Sequence, residues 1–276
     1  MTAVAHAGRA PVVRRTTRRD WLLAGAGVPM LGLLIVPLVA MVLKIPPQVL
    51  LGYLSDAATR QAIALSLTTS TAATIAVVIL GMPIAYLLAR RRPSFGHILD
   101  AIIDLPTVLP PAVAGLALLI AFGRRGLLGG MLNSLGIDVA FTTVAVVMAQ
   151  AFVSAPYFIK AATLGLASVS QELEQAAALD GASSPKIFRY IMLPLAWRGL
   201  LGGLTLCWAR SLGEFGATII FAGNYPGRTE TMPLAVYVSW ETDLNQALTL
   251  ATILLAISFV ILFAVRGTLR STEPES

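Results

Sequence analysis

The sequence has 276 residues, of which 57% are hydrophobic and only 12% are charged. Soluble globular domains carry about 25% charged residues, so this composition excludes an ordinary soluble protein and predicts a polytopic membrane protein. The one cysteine, Cys207, excludes a disulfide within the chain and a cysteine-rich metal site.

The chain begins with a polar, arginine-rich segment, residues 1–20, which predicts a basic tail. Residues 21–43 follow with no charged side chain, and a helix of that length is about 35 Å long, enough to cross the hydrocarbon layer. A signal peptide is the alternative, but its apolar core is shorter, about 7–15 residues, and ends at a small-residue cleavage site. Residues 41–44 make a poor site of that kind, so we expect a retained first membrane helix.

Five more apolar segments follow, and the sequence therefore predicts an all-α polytopic membrane protein with six transmembrane helices in one bundle. No internal repeat or linker divides the chain. The transmembrane domain is expected to cover residues 21–266, between the basic tail and a short C-terminal tail, residues 267–276. The five segments are approximately residues 62–89, 98–122, 141–164, 193–221 and 247–265.

Lysine and arginine side chains are divided unequally between the two sides of such a bundle. Fourteen of the 20 lie on the side of both termini, Arg210 falls within a span, and five lie on the opposite side. Cytoplasmic loops carry the excess of lysine and arginine in membrane proteins. Both termini and the loop before the fifth span are therefore expected in the cytoplasm. The five on the opposite side are Lys44, Arg60, Arg124, Arg125 and Arg228.

Clustered prolines occur at Pro110 and Pro111, inside the third apolar segment and close to Gly115. Proline frees backbone carbonyls that neighbouring groups or water must satisfy. Kinks that serve only helix packing are common in membrane helices. A constriction or hinge in a translocation path is the alternative that the cluster raises.

Arg210 and Glu214 are the charged residues inside the fifth segment, and a spacing of four places them on one helix face. About 24 Å of helix separates Arg210 from Pro194, so the pair is expected deep in the span. Isolated charges are costly there. Two interpretations remain: an ion pair that locks helices together, or an Arg210 that lends positive potential to an anion path while Glu214 holds its orientation.

The sequence offers no catalytic machinery. It contains no Gly-Lys-Ser/Thr phosphate-binding loop, and its two histidines, His6 and His97, complete no zinc motif or catalytic triad. We therefore expect a non-catalytic membrane protein with no metal and no cofactor, which takes any energy that it uses from a partner.

A polar, charged segment, residues 174–194, separates the fourth and fifth spans. Residues 171–179 are mostly Ala, Glu, Gln and Leu, which favour a helix. Gly181 can end that helix in the left-handed conformation, and Pro185 suits the first turn of a second helix. The pattern predicts a helix, a tight glycine turn and a short helix, a compact knuckle outside the lipid that is suited to docking a soluble partner.

In this segment an Ala-Ala pair at 176–177 is followed after three residues by Gly181 and nine residues later by an I-M-L-P run from Ile191. The pattern resembles the cytoplasmic loop of bacterial ABC importer permeases, which reads E-A-A, three residues, G, nine residues, I-x-L-P. Gln175 occupies the glutamate position, with Glu174 one place earlier. The resemblance implies an ATPase-coupling loop at about residues 165–192, with the coupling residues Glu174, Gln175, Ala176, Ala177, Asp180, Gly181, Ile191, Leu193 and Pro194.

Two further stretches, residues 105–129 and 211–237, resemble molybdate permeases, and sulfate and thiosulfate permeases share much of both. The letters GEFGAT at residues 213–218 favour the molybdate and tungstate group. The resemblance covers roughly residues 60–265. It implies a type I ABC importer permease-like bundle in the bacterial plasma (inner) membrane that imports an oxyanion by alternating access. A sulfate or thiosulfate permease is the first alternative, and an ion-driven secondary transporter is a weaker one.

The resemblance also implies partners besides the lipid bilayer: a second copy of the chain, a cytoplasmic ABC ATPase dimer that hydrolyses ATP, and an extracytoplasmic oxyanion-binding protein. The expected contacts with the binding protein are Asn224 and Arg228, in the turn after the fifth span. The expected translocation-path residues are Pro110, Pro111, Arg210 and Glu214. No nucleic acid is expected as a partner.

Overall fold

The computed structural model describes residues 18–91 and 95–270, and within these ranges the chain is built from helices joined by turns. The chain divides after Pro46 into two compact units, which are described separately. The helices are α1 (Arg18–Lys44), α2 (Pro47–Leu54), α3 (Ala57–Arg90), α4 (Gly96–Val108), α5 (Pro111–Phe122), α6 (Gly129–Ser134), α7 (Thr143–Ala167), α8 (Gln171–Leu179), α9 (Ser184–Ile187), a π-helix (Phe188–Met192), α10 (Leu193–Leu212), α11 (Gly216–Ala222), α12 (Met232–Thr242) and α13 (Leu244–Arg270).

In the described part of the first unit the helix is α1, whose segment Gly25–Lys44 is long and apolar enough to cross a membrane. The helix begins at Arg18, inside the predicted basic tail, and residues 1–17 of that tail lie outside the described residues.

At the other end of the chain, α13 continues through Arg270, so it includes the start of the predicted C-terminal tail. Residues 271–276 lie outside the described residues.

The second unit is organised around α7, against which α3 and α10 pack along much of their length. Local signals start two of these helices: the Asp56 side chain accepts the Thr59 N–H at 2.9 Å to cap α3, and Thr142 caps α7. The hydrogen bond to Thr59 is the main reason that the pKa of Asp56 lies below its usual value. Each cap satisfies a backbone N–H that the first helical turn leaves unpaired.

Small residues allow α7 and α10 to approach closely. A Cβ added at Gly199 would lie 2.9 Å from the Cα of Gly165, and one added at Gly203 would lie 2.7 Å from the Cβ of Ala161. Membrane helices associate through such small-residue contacts because lipid offers them no hydrophobic driving force. The same contacts show that α7 and α10 run antiparallel, since Gly199 lies next to Gly165 and Gly203 lies next to Ala161.

The predicted third span, residues 98–122, is wrong as a single helix. The structure divides it into α4 and α5, and the chain bends by 115° between the two helices. Leu109 and Pro110 at the break are both extended, with ψ of 134°. Each of them precedes a proline, and a residue before proline is pushed out of the helical region by the proline ring. The two consecutive prolines therefore make a sharp bend rather than a mild kink.

The predicted fifth span, residues 193–221, also has different bounds. The helical segment Ser184–Leu212 is continuous and includes the π-helix, and α11 starts only after a break at residues 213–215. At this break the Glu214 carboxylate accepts the Ala217 N–H at 2.8 Å, which caps α11. Pro194 accordingly lies inside a continuous helical segment, whereas the predicted fifth span began next to it, at residue 193.

Over the described residues, five helices are long and apolar enough to span a membrane, and the bent α4–α5 pair makes a sixth if it crosses as one span. This agrees with the predicted all-α polytopic fold, and with the predicted number of six spans if the bent pair is counted as one. The five are within Gly25–Lys44, Ala57–Arg90, Thr143–Ala167, Ser184–Leu212 and Leu244–Val265.

Candidate functional site

The polar segment folds as the sequence predicts, as two helices joined by a glycine turn. We call α8, the turn and α9 together the knuckle, residues 170–187. The Ser170 hydroxyl accepts the Glu172 N–H at 3.2 Å and caps α8. Asp180 ends α8, and Gly181 has φ of +86°, the left-handed conformation that glycine adopts without a steric penalty. The chain thus reverses within two residues.

The knuckle presents a surface that the described residues leave uncovered. Gln175, Ala176 and Gly181 are exposed, and Leu179 at the end of α8 is 89% exposed. No residue of α8 is buried. A helix whose apolar residues face outward, next to a sharp turn, is a surface that another protein can cover.

The π-helix joins the knuckle to α10 and carries Ile191, while Leu193 and Pro194 form the first turn of α10. Single turns of π-helix inside longer helices occur frequently at functional sites. Phe188 of this turn contacts Tyr86 of α3 edge to face, with ring centroids 5.5 Å apart. An apolar depression of about 320 Å³ lies beside them, lined by Met82, Pro83, Tyr86, Ser184, Pro185 and Phe188.

The structure adds a contact that sequence reasoning missed, between the knuckle and the end of α3. Arg90 forms an ion pair with Glu174, and its guanidinium also donates to the Val169 carbonyl at 3.0 Å. The Arg90 side chain is 9% exposed and that of Glu174 is 18% exposed. Glu174 therefore points toward the bundle, whereas its neighbour Gln175 is exposed.

Arg210 and Glu214 form the ion pair that their spacing predicts, with Nη1 and Oε2 2.7 Å apart. The Glu214 side chain is 1% exposed and that of Arg210 is 29% exposed. Arg210 lies on the last turn of α10, but Glu214 lies in the break that follows, so the two do not share a continuous helix. The carboxylate thus compensates a partly buried cation with one oxygen and caps α11 with the other.

The predicted proline site and the predicted charged site adjoin one another. A Cβ added at Gly216 would lie 2.6 Å from the Pro111 Cβ, and one added at Gly115 would lie 2.6 Å from the Ala217 carbonyl oxygen. The bend between α4 and α5 is therefore packed directly on the break that holds Glu214. All four predicted path residues belong to this one region, where two helices are interrupted side by side.

The predicted turn after α11 contains one exposed and one partly buried contact residue. Arg228 is exposed, and its backbone carbonyl accepts the Thr143 hydroxyl at 2.9 Å. Asn224 is partly buried and donates to Glu230 at 3.1 Å. A depression of about 350 Å³ lies beside the turn, lined by Arg124, Asp138, Ala140, Phe141, Thr142, Tyr225 and Arg228.

A bidentate ion pair borders this depression. The Arg124 guanidinium donates to both carboxylate oxygens of Asp138, at 3.1 and 2.8 Å. The hydrogen bond to Asp138 is the main reason that the pKa of Arg124 is raised above its usual value. The depression therefore has both cationic and anionic groups at its edge.

The knuckle and the 224–228 turn lie at opposite ends of the α3–α7 pair. Arg90 at the end of α3 reaches Val169, which follows the end of α7. Near the start of α7, Thr143 donates to the Arg228 carbonyl, and a Cβ added at Gly227 would lie 3.2 Å from Gln61 near the start of α3. The two predicted partner surfaces are thus separated by the full length of the bundle.

A second cluster that sequence reasoning missed joins α4 to α7. The Lys160 ammonium lies 3.0 Å from a carboxylate oxygen of Asp100 and 3.0 Å from one of Asp104. Two carboxylates at a spacing of four on one helix, and a lysine within another apolar segment, are the signal that could have suggested this pairing.

Comparison with known proteins decides the family. Residues 81–269 match the sequence profile described as the inner membrane component of binding-protein-dependent transport systems. The match covers more than half of the chain. The chain belongs to this family. It is a multi-pass membrane permease of the ABC transporter type, a class of subunit that normally has no catalytic activity.

Two curated relatives resemble this permease over most of its length. A probable transport system permease protein, NifC, from Clostridium pasteurianum is 39% identical over 242 residues, which cover 87% of this chain and 85% of the relative. The molybdenum transport system permease protein ModB of Mycobacterium tuberculosis is 40% identical over 229 residues, covering 83% of this chain and 87% of the relative.

A solved structure supports the fold independently. A bacterial ABC transporter involved in the import of the acidic polysaccharide alginate matches with a TM-score of 0.72 at 16% identity, covering 93% of this chain and 97% of the other. The predicted type I ABC importer permease-like bundle is confirmed.

Proposed function

We propose that this chain is the membrane-spanning subunit of an ATP-driven importer of molybdate. The observation that carries the proposal is the 40% identity to a molybdenum transport permease over 83% of the chain. Two chains that are this similar over most of their length share their fold. Tungstate has the same shape and charge as molybdate and is expected to share the path.

The knuckle is proposed as the site at which a cytoplasmic ABC ATPase docks. The chain has no phosphate-binding loop, so ATP must be hydrolysed by a partner. The exposed face around Gln175, Ala176 and Leu179 offers an apolar surface on a short helix held by a glycine turn. A movement of the ATPase would press on this helix and, through the continuous segment Ser184–Leu212, on the interior of the bundle.

The interrupted region around Pro111 and Glu214 is proposed as the part of the path that changes shape. Helix breaks at membrane depth are tolerated where protein or a water-filled cavity surrounds them. Arg210 is the cation of this region, and its partial exposure leaves room for an anion to approach. Rotation about the α4–α5 bend would widen or narrow the space next to α11.

The 224–228 turn is proposed to contact an extracytoplasmic oxyanion-binding protein. It lies at the end of the α3–α7 pair opposite the knuckle, as the two partners of an importer require. Arg228 is its exposed cation, whereas Asn224 supports the turn through Glu230. The proposal also places a second copy of the chain beside the first, and both termini in the cytoplasm.

Reconstituted transport tests the proposal. The permease, its ATPase and its binding protein are placed in liposomes, and uptake of labelled molybdate is measured with and without ATP. We expect uptake that requires ATP and the binding protein and that continues when an ionophore removes the proton gradient. Excess tungstate should compete. Uptake that needs the proton gradient, or that only excess sulfate and not tungstate suppresses, would contradict it.

A further inference from the structure

We propose that Arg90 is the positioning residue that couples the knuckle to the core of the bundle. In this role its guanidinium holds α8 against the end of α3, so that a movement of α8 is passed to α3 as well as to α10. This inference rests on the proposed docking of an ATPase at the knuckle.

The contacts of Arg90 link three elements at one point. Arg90 is the last residue of α3, its guanidinium donates to the carbonyl of Val169 between α7 and α8, and it pairs with Glu174 on α8. Its side chain is 9% exposed. Both contacts are made by Nη2, which carries two N–H groups and lies within reach of the Val169 carbonyl and the Glu174 carboxylate together.

The ion pair matters because it ties α8 to α3, whereas the main packing contacts of α8 are with its neighbours α9 and the π-helix. None of the nine residues of α8 is buried, so no apolar side chain anchors this helix in the core. A helix of that length is marginal in water without tertiary contacts. The Arg90–Glu174 pair is therefore the polar attachment that sets where α8 lies relative to the end of α3.

The pair also accounts for the position of the acid in this sequence. Successive residues of an α-helix are rotated by about 100° around its axis. Glu174 therefore faces the bundle and reaches Arg90, while Gln175 faces outward and is exposed. In this chain the Glu174 carboxylate makes a contact within the permease, and the outward-facing Gln175 offers a neutral amide to a partner.

The pair is more than a surface contact, because its partners are largely shielded from water. Removing one member of such a pair leaves the other as an uncompensated charge, which is far more costly than losing both. The loss should appear in the efficiency with which ATP hydrolysis drives uptake, since the knuckle would still present the same exposed residues to the ATPase.

A double-mutant cycle in the reconstituted complex tests this inference. The variants are Arg90→Gln, Glu174→Gln and the two combined, and the measured quantity is molybdate taken up per ATP hydrolysed. We expect each single variant to lower that ratio by about tenfold, because each leaves the charge of the other partner largely shielded from water and uncompensated. The double variant should lose no more than a single one, because both substitutions remove the same interaction.

Arg91→Gln is the matched control. Arg91 is exposed and adjacent, so its substitution removes the same charge from the same end of α3 without touching Glu174. Its transport ratio should equal that of the wild type. Co-purification of the ATPase is measured for every variant, and it should be unchanged, because the exposed face of the knuckle is intact.

Three outcomes would overturn the inference while leaving the proposed function in place. Arg90→Gln could transport with the wild-type ratio, the two losses could multiply in the double variant, or Arg91→Gln could match Arg90→Gln. If Arg90→Gln does not fold, Arg90→Lys, which keeps the charge, must give a ratio between wild type and Glu174→Gln, and a ratio equal to that of Glu174→Gln would also overturn it. Failure of the wild-type complex to import molybdate contradicts the proposed function itself.

Discussion

At the scale of single residues, Gly181 is a position where the backbone itself limits the choice of side chain. Its φ of +86° is left-handed, and a Cβ placed there would meet no atom within 4 Å. Any cost of substitution is therefore conformational and not steric. Because a substitution at Gly181 strains the backbone but causes no clash, it changes the shape of the knuckle without disturbing its packing.

We expect Gly181→Val to reduce ATP-driven uptake strongly, because a β-branched residue in this region costs about 1–3 kcal/mol and the turn would open to avoid it. Gly181→Asn is the matched control, since asparagine adopts the left-handed conformation more readily. It should retain most of the uptake. Normal uptake by the Val variant in liposomes would count against the knuckle as the coupling site.

Arg210 and Glu214 can be assigned to structure or to transport by comparing single and double neutral variants. Arg210→Gln leaves Glu214, which is 1% exposed, as an uncompensated charge, so uptake should fall and thermal stability with it. Combining it with Glu214→Gln removes both charges. If the pair only locks helices, the double variant should recover both properties.

We expect the double variant to recover stability but not uptake, because Arg210 is proposed to supply positive potential for an anion. The measurements are the melting temperature in detergent and the initial rate of molybdate uptake. Recovery of both would assign the pair to structure alone, which is the other interpretation of the sequence.

At the scale of secondary-structure elements, the knuckle could be predicted from sequence because each of its signals is local. Helix-forming residues, Gly181 and Pro185 lie within a few positions of one another and act on their own backbone. The break at residues 213–215 was missed, and the Pro110–Pro111 cluster suggested a hinge but not two separate helices, for a different reason. Hydropathy is averaged over a window of about 19 residues, so an extended pair such as Leu109–Pro110 is hidden by its apolar neighbours.

Side-chain contacts between different helices could not be predicted from the sequence. The sequence shows that the acid at Glu174 is displaced by one position from the family pattern. Its partner Arg90 belongs to a different helix, and the sequence indicated only that Arg90 is a basic residue on the cytoplasmic side. The same holds for Lys160 and its two aspartates on α4. Their pairing depends on how α3, α4 and α7 pack, which a single sequence does not state.

The close approach of α7 and α10 gives an element-scale prediction with a control one residue away. Gly203→Ala should destabilise the permease by about 1–3 kcal/mol, because the new methyl group would lie 2.7 Å from the Ala161 Cβ. Gly202→Ala meets nothing within 4 Å and should be neutral or slightly stabilising, since it only restricts the unfolded chain. Thermal unfolding in detergent compares the two, and equal melting temperatures would refute the close contact.

At the scale of the whole molecule, the arrangement of the two proposed partner surfaces follows from the directions of α3 and α7. Both helices run from the 224–228 turn toward the knuckle, as the contacts of Thr143 and Arg90 at their two ends establish. An importer needs its energy source and its delivery protein on opposite faces of the membrane. The fold therefore meets this requirement through two long helices that lie side by side in the same direction.

Which end faces the cytoplasm is predicted by the distribution of charge. In the topology predicted from the sequence, fourteen lysines and arginines fall on the side of the knuckle and five on the opposite side, and such a bias orients membrane proteins with the richer side inward. The native Cys207 is fully buried, so it gives little background in cysteine labelling. Ser183→Cys in the knuckle and Pro226→Cys in the turn then report the two ends, because both positions are exposed.

We expect a membrane-impermeant maleimide to label Pro226→Cys on intact spheroplasts that lack the ATPase and the binding protein. Ser183→Cys should be labelled only after the membrane is permeabilised. The unsubstituted chain measures the contribution of Cys207 in both conditions. Labelling of Ser183→Cys on intact spheroplasts would place the knuckle on the outer face, where no ATP is available, and the coupling proposed for Gly181 and Arg90 would then have no energy source.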